Sequence, residues 1–154
     1  MSYGQYSYAS TAGARYTVAE QTPYTAAGKA KRWGHNRVVY TLADGTVAYR
    51  LHMTDIVLVK DWPDGTVVIN INTGGWNTLT TRKAIGEALG LALKARGMDG
   101  GVYTTWPKRK SSLPNSLRIF RNNPFEVLAA VEFTNAAVVH IQPDGKVEAT
   151  AIFY

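Results

Sequence analysis

The chain has 154 residues, of which 45% are hydrophobic and 18% charged, and a formal net charge of +6. That length suits one domain, supplies a core, and excludes a TIM barrel or a full dinucleotide-binding enzyme. The sequence has no cysteine, which excludes disulfides, thiolate zinc sites and a cysteine nucleophile, and the positive balance favours an anionic partner.

Residues 1–36 differ from the rest. They hold Tyr3, Tyr6, Tyr8, Tyr16 and Tyr24, five of the nine tyrosines, among Ser, Thr, Ala, Gly and Gln with almost no aliphatic residues. Such a segment buries too little apolar surface to order alone. It predicts a weakly ordered arm that orders against a partner or its own domain, ending in Lys29, Lys31, Arg32 and Trp33. The start, MSYGQYSY, lacks the basic and apolar regions of a secretory signal. No stretch approaches the roughly 18 apolar residues of a membrane span. A cytoplasmic protein with no membrane partner is expected.

Residues 37–154 read as a single domain. Residues 37–42 and 46–51 are strands around Asp44-Gly45, residues 55–60 and 66–71 are strands around Asp64-Gly65, and residues 137–141 and 146–152 are strands around Asp144-Gly145. Asp-Gly supplies the positive φ of tight hairpins, so the three devices predict antiparallel pairing. The intervening lengths differ, which argues against a repeat protein. Residues 78–96 predict one helix, with Ile85, Leu89, Ala92 and Leu93 on one face, Thr80 or Thr81 as cap, and Lys94 and Arg96 at the C-terminal end before Gly97. Gly86 and Gly90 cost about 1 kcal/mol each relative to Ala and suit close packing of a strand. Short strands follow at 102–106 and 117–120, and residues 125–133 fit either a strand or a helix, with the β-branched and aromatic flanks favouring a strand. The fold expected is α+β: an antiparallel sheet of hairpins packed on one principal helix, with an extended N-terminal arm.

The positive charge is uneven. Residues 1–36 carry +3, residues 37–80 carry −1, residues 81–121 carry +7 and residues 122–154 carry −3. Lys108, Arg109 and Lys110 are consecutive, and Arg118 and Arg121 follow. Clustered cations are the footprint of a phosphate-bearing ligand, or simply a solvated loop.

The most informative stretch is residues 72–83, NTGGWNTLTTRK. It leads from a strand through two glycines into a helix, whose first turn offers unpaired N–H groups and a partial positive charge. Thr78, Thr80 and Thr81 add hydroxyls, Arg82 and Lys83 add charge, and Trp76 or Trp106 could stack on a base. The alternative assigns the glycines to a tight turn, Trp76 to the core and the threonines to capping. The order is not that of a phosphate-binding Walker loop.

Residues 51–57, LHMTDIV, the Asp64-Gly65 turn and NTGGWNTLTTRK together resemble a small uncharacterised domain common in bacteriophage genomes, which reads LHxTDIV, a hairpin, then NxGGWxTxTTxxRIN. The resemblance covers about residues 48–90. It departs where Arg-Ile-Asn is expected, since this chain has Lys83-Ala84-Ile85-Gly86. It implies phage or mobile-element origin and no mechanism; by analogy, such accessory proteins bind host or defence components.

Little points to catalysis. His35, His52 and His140 lie on separate segments, and His52 and Asp55 would face opposite ways on a strand. No nucleophile or metal-protease motif occurs. No metal and no cofactor are expected. The expected function is therefore a non-enzymatic, phage-type accessory protein binding nucleic acid or a nucleotide, including a signalling nucleotide in host-defence evasion. Its ligand-binding residues would be Trp76, Thr78, Thr80, Thr81, Arg82, Lys83, Trp106, Lys108, Arg109, Lys110, Arg118 and Arg121. The alternative is a protein–protein or assembly module in which the Tyr-rich arm and hairpin edges dock on a host protein or a second copy. An enzyme acting on a phosphorylated substrate ranks third.

Overall fold

A computed structural model describes residues 31–76, 78–98, 101–105, 115–122 and 124–152. The described strands are β1 (Lys31–Gly34), β2 (Arg37–Thr41), β3 (Val47–Leu51), β4 (Thr54–Asp61) and β5 (Val67–Asn72), then, after helix α1 (Leu79–Lys94), β6 (Gly101–Thr105), β7 (Asn115–Asn122), β8 (Phe125–Phe133), β9 (Ala136–Ile141) and β10 (Val147–Ile152). They form two antiparallel sheets. The larger has seven strands in the order β10-β9-β5-β4-β3-β2-β1, and the smaller is β6-β7-β8. The fold is α+β, with α1 packed against the larger sheet.

Alternation along the strands selects the face that carries the core. Val39, Tyr49, Val57, Ile71, Ala137 and Ala151 lie in one cross-strand row. This row faces the inner side of α1, where Ala84, Ala88 and Ala92 alternate with Ile85, Leu89 and Leu93, all buried. Leu117, Ile119 and Phe133 of the small sheet complete the same core. Each fully buried Leu or Ile contributes about 1.5–3 kcal/mol.

The three Asp-Gly hairpins have one geometry. The amides of Leu42, Trp62 and Gln142 donate to the carbonyls of Thr46, Thr66 and Lys146 at 2.7–2.8 Å. Only the glycine takes positive φ, 90° at Gly45, 93° at Gly65 and 91° at Gly145. The aspartate instead accepts the amide two residues on, at 2.9, 2.9 and 3.0 Å. This is a type I turn closed by a glycine bulge, so the aspartate needs no left-handed backbone. All three turns fall at one end of the seven-stranded sheet.

These bonds give a pH dependence. The Thr66 amide holds Asp64 below the usual carboxylate range. At Asp44, partial burial pushes the carboxyl up, but the Thr46 amide and Lys60 outweigh it and the net shift is downward. A carboxyl lowered on folding stabilises the fold above its unfolded pKa, and that contribution is lost as pH falls through the folded value. The double variant Asp44→Asn/Asp64→Asn should therefore lose stability less steeply than the parent between about pH 5 and pH 2 in urea titrations. Equal slopes would show that these bonds do not couple to folding.

Three local expectations change, and the stop at Gly97 holds. The helix cap is Thr78, not Thr80 or Thr81: Thr78 is extended (φ −103°, ψ 165°) and its hydroxyl accepts the Thr81 amide at 3.3 Å. Gly97, at φ 76°, ends the turn after α1, while the Met98 amide reaches back to the Leu93 carbonyl at 3.1 Å. Gly90 faces open space, so it does not serve close strand packing. Residues 31–34, assigned to the arm, form the edge strand β1. Trp33 anchors it, with its ring edge-on to Tyr49 at 6.0 Å and the Arg37 guanidinium 5.0 Å above its face. Residues 1–30 lie outside the described set. Among the described residues, no helix is long and apolar enough to cross a membrane.

Candidate functional site

The end of the sheet opposite the three Asp-Gly turns is irregular. There β3 turns into β4, and β5 leaves the sheet for α1. Between these two connections lies a cavity of about 540 Å³. One wall is Leu51, His52, Met53, Thr54 and Ile56; the other is Thr73, Trp76, Thr78, Thr80 and Thr81. The first wall lies within LHMTDIV and the second within NTGGWNTLTTRK. Two stretches about twenty residues apart in sequence thus enclose one space.

Local backbone chemistry holds the walls in place. Thr73 is almost fully buried; its amide bonds the Asn135 carbonyl at 2.8 Å and its hydroxyl the Asn135 side chain at 3.1 Å. The same hydroxyl accepts the Gly75 amide at 3.2 Å, and Asn72 accepts the Gly74 amide at 2.7 Å. These bonds turn the chain through Gly74 (φ 66°) and Gly75 (φ 85°) and leave Trp76 67% exposed beside the cavity. His52 takes φ 53° in the β3–β4 turn, and its amide bonds the Asn36 carbonyl at 2.9 Å.

Gly74 is where the two walls touch. A Cβ there would lie 2.7 Å from Thr54 Cγ2 and 3.0 Å from Thr54 Oγ1. Gly74→Ala therefore combines a left-handed backbone, costing about 1–2 kcal/mol, with a clash against the facing wall. It should lower the denaturation midpoint, and Thr54→Ala in the same chain should restore the steric part only. No rescue by Thr54→Ala would show that the walls are not in contact.

At the helix mouth, the Thr78 carbonyl accepts the Arg82 amide at 3.0 Å and the Thr78 hydroxyl donates to Thr81 at 3.2 Å. The amides of Leu79 and Thr80 precede any intrahelical acceptor. The first turn contains no acidic side chain, so nothing there offsets the positive end of the helix dipole. No Lys, Arg, Asp or Glu occurs among the described residues lining the cavity, where His52 is the one titratable side chain. Among the described residues, no group of three or more His, Asp and Glu could hold a metal ion.

Of the residues singled out by sequence, the cavity brings together Trp76, Thr78, Thr80 and Thr81. Trp76 does not fill the core, because Thr73 and the two glycines turn it outward. Arg82 is buried, at 8% exposure, and Lys83 is exposed; neither lines the cavity. Arg118 is exposed on β7, and Arg121 forms an ion pair with Glu126 across the β7–β8 hairpin. Trp106, Lys108, Arg109 and Lys110 lie outside the described residues. Sequence reasoning did not find Leu51, His52, Met53, Thr54, Ile56 and Thr73. The signal for them was the pairing of the two motif stretches, read only as a resemblance. The sequence alone puts His52 on a strand; in the fold it lies in the exposed turn between β3 and β4.

Comparison with protein-family models, with curated proteins and with solved structures finds no match to this chain.

Proposed function

We propose that the chain is a non-enzymatic binding protein whose ligand is a small phosphate-bearing molecule of the nucleotide class. The observation that carries this reading is the cavity built from the two motif stretches, with Trp76 exposed beside it and the start of α1 in its wall. Trp76 stacks the ring of the ligand. The Thr80 hydroxyl and the free first-turn amides hold the phosphate, while the Thr78 hydroxyl caps the helix. A volume of about 540 Å³ falls within the roughly 300–1,000 Å³ of small-ligand pockets, which favours a nucleotide over a long strand lying in a groove. On the motif resemblance, the setting we propose is a phage-type accessory protein in the host cytoplasm, acting by sequestering its ligand.

The test is to purify the full chain from cells, denature it, and identify released small molecules by absorbance and mass spectrometry. A stoichiometric, ultraviolet-absorbing phosphate compound supports the reading. A clean protein that also ignores every nucleotide in titration overturns it.

A second reading, a protein-interaction module, has one observation behind it. Phe125 is 70% exposed and packs against Phe120 at 5.7 Å, next to exposed Val127, on the β7–β8 hairpin. Loss of a protein partner on Phe125→Ser, with nucleotide binding absent, would favour it.

A further inference from the structure

The seven-stranded sheet has a second buried face. Helix α1 and the small sheet both pack on the face that carries Val39, Tyr49, Val57 and Ile71. On the opposite face, Tyr40, Ala48 and Leu58 form one cross-strand row over β2, β3 and β4. They are 2%, 0% and 6% exposed, yet they stand outside the core cluster. Arg50 and Asp55, whose side chains are also buried, lie on the same face and bond the Tyr40 hydroxyl. The row continues through Asn70 and Val138, which are half-buried, to exposed Thr150. Burial thus fades from β2 toward β10, which marks a cover seated over the half of the sheet next to β1. We infer that this cover is residues 1–30 of the same chain, laid across β2, β3 and β4 with Tyr16 and Tyr24 on the buried row. The inference is independent of the nucleotide reading.

Connection, elimination and composition select that segment. The chain enters β1 at Lys31, which pairs with Val39, so residue 30 leaves the sheet edge level with the Tyr40 row. From β1 to β4 is three strand spacings, about 14 Å, a span that about five extended residues cross. Thirty residues precede β1. The other stretches outside the described residues are badly placed for this face. Residues 106–114 join β6 to β7, whose Leu117 and Ile119 belong to the α1 side. Residues 153–154 follow β10 at the far edge, and the remaining gaps are one or two residues long. The arm carries five tyrosines. A tyrosine lays its ring on an apolar row while its hydroxyl reaches a polar group, and this row lies beside the Arg50–Asp55 pair. A segment too polar to build a core of its own gains apolar contact by docking on a preformed face. Seated there, it keeps water from the ion pair.

The test uses the full chain, whose lack of cysteine allows single thiols to be placed. Asn70→Cys, at the margin of the row, carries a benzophenone photo-cross-linker. Irradiation of dilute protein should join it, in the monomeric product, to peptides from residues 1–30. A product map with no such peptide overturns the inference, and cross-links to residues 106–114 or to a second copy would name the cover instead. Labelling rates then ask whether the tyrosines hold the arm in place. Ala48→Cys lies in the covered row and Ala88→Cys lies under α1; both alanines are 0% exposed. Adding Tyr16→Ser/Tyr24→Ser should speed thiol labelling at position 48 by about tenfold or more, as expected of a local opening, and leave position 88 unchanged. Equal acceleration at both positions, or none at position 48, contradicts an arm held on this face by its tyrosines.

Discussion

Asp55→Ala should destabilise the protein by about 3–5 kcal/mol, the effect of stranding a buried charge. The Arg50 and Asp55 side chains are 6% and 4% exposed, with Nε and Oδ1 2.9 Å apart. The Tyr40 hydroxyl lies 2.9 Å from both carboxylate oxygens of Asp55, and Arg50 Nη2 donates to that hydroxyl at 2.8 Å. Arg50 and Asp55 face each other across β3 and β4 beside a register shift, so they close the strands at the base of the turn that presents residues 51–54 to the cavity. Burial pushes the Asp55 carboxyl up, against the opposing pull of Arg50 and Tyr40. A carboxyl raised on folding contributes most below its unfolded pKa, and its contribution declines as pH rises through the folded value, opposite to Asp44 and Asp64. The replacement Arg50→Met/Asp55→Leu, which removes both charges, should be less damaging than Asp55→Ala alone. Urea midpoints measure both. A double variant as unstable as the sum of its single changes would show that the pair is not coupled.

Trp76→Ala should weaken ligand binding about 5- to 150-fold, equivalent to the roughly 1–3 kcal/mol of a ring stacked on an aromatic side chain, while stability changes by no more than about 0.5 kcal/mol. The two effects separate because Trp76 is two-thirds exposed and outside the hydrophobic core. Trp76→Phe should retain part of the affinity. Calorimetric titration with the tightest nucleotide, alongside thermal unfolding, gives both readouts. An unfolded Trp76→Ala protein would make Trp76 structural, and unchanged affinity would remove it from the site.

The hairpins were legible because each rests on a local device. Asp64-Gly65 between two β-branched runs specifies a turn whatever surrounds it, and the alanine and leucine stripe of α1 specifies its buried face. The pairing of β5 with β9, which joins Ile69 to Val139 and Ile71 to Ala137, was not legible, since nothing local encodes which edges meet. The site was half legible for the same reason. Trp76, Thr78, Thr80 and Thr81 lie within one loop-to-helix stretch, where spacing shows their proximity. His52 and Thr54 reach them only because the β3–β4 turn and the start of α1 share one end of the sheet. Arg82 misled because sequence shows a cation near a helix start but not which way it turns; in the fold it is buried.

Hydrogen exchange read by mass spectrometry, with and without a saturating mixture of the four ribonucleoside 5′-monophosphates and 3′,5′-cyclic monophosphates, probes both walls of the cavity at once. Ligand should slow exchange in peptides spanning 51–56 and 73–81 together, leaving β7 and β8 unchanged. Protection of only one of the two stretches, or of the β7–β8 hairpin instead, would contradict a ligand cavity shared between them.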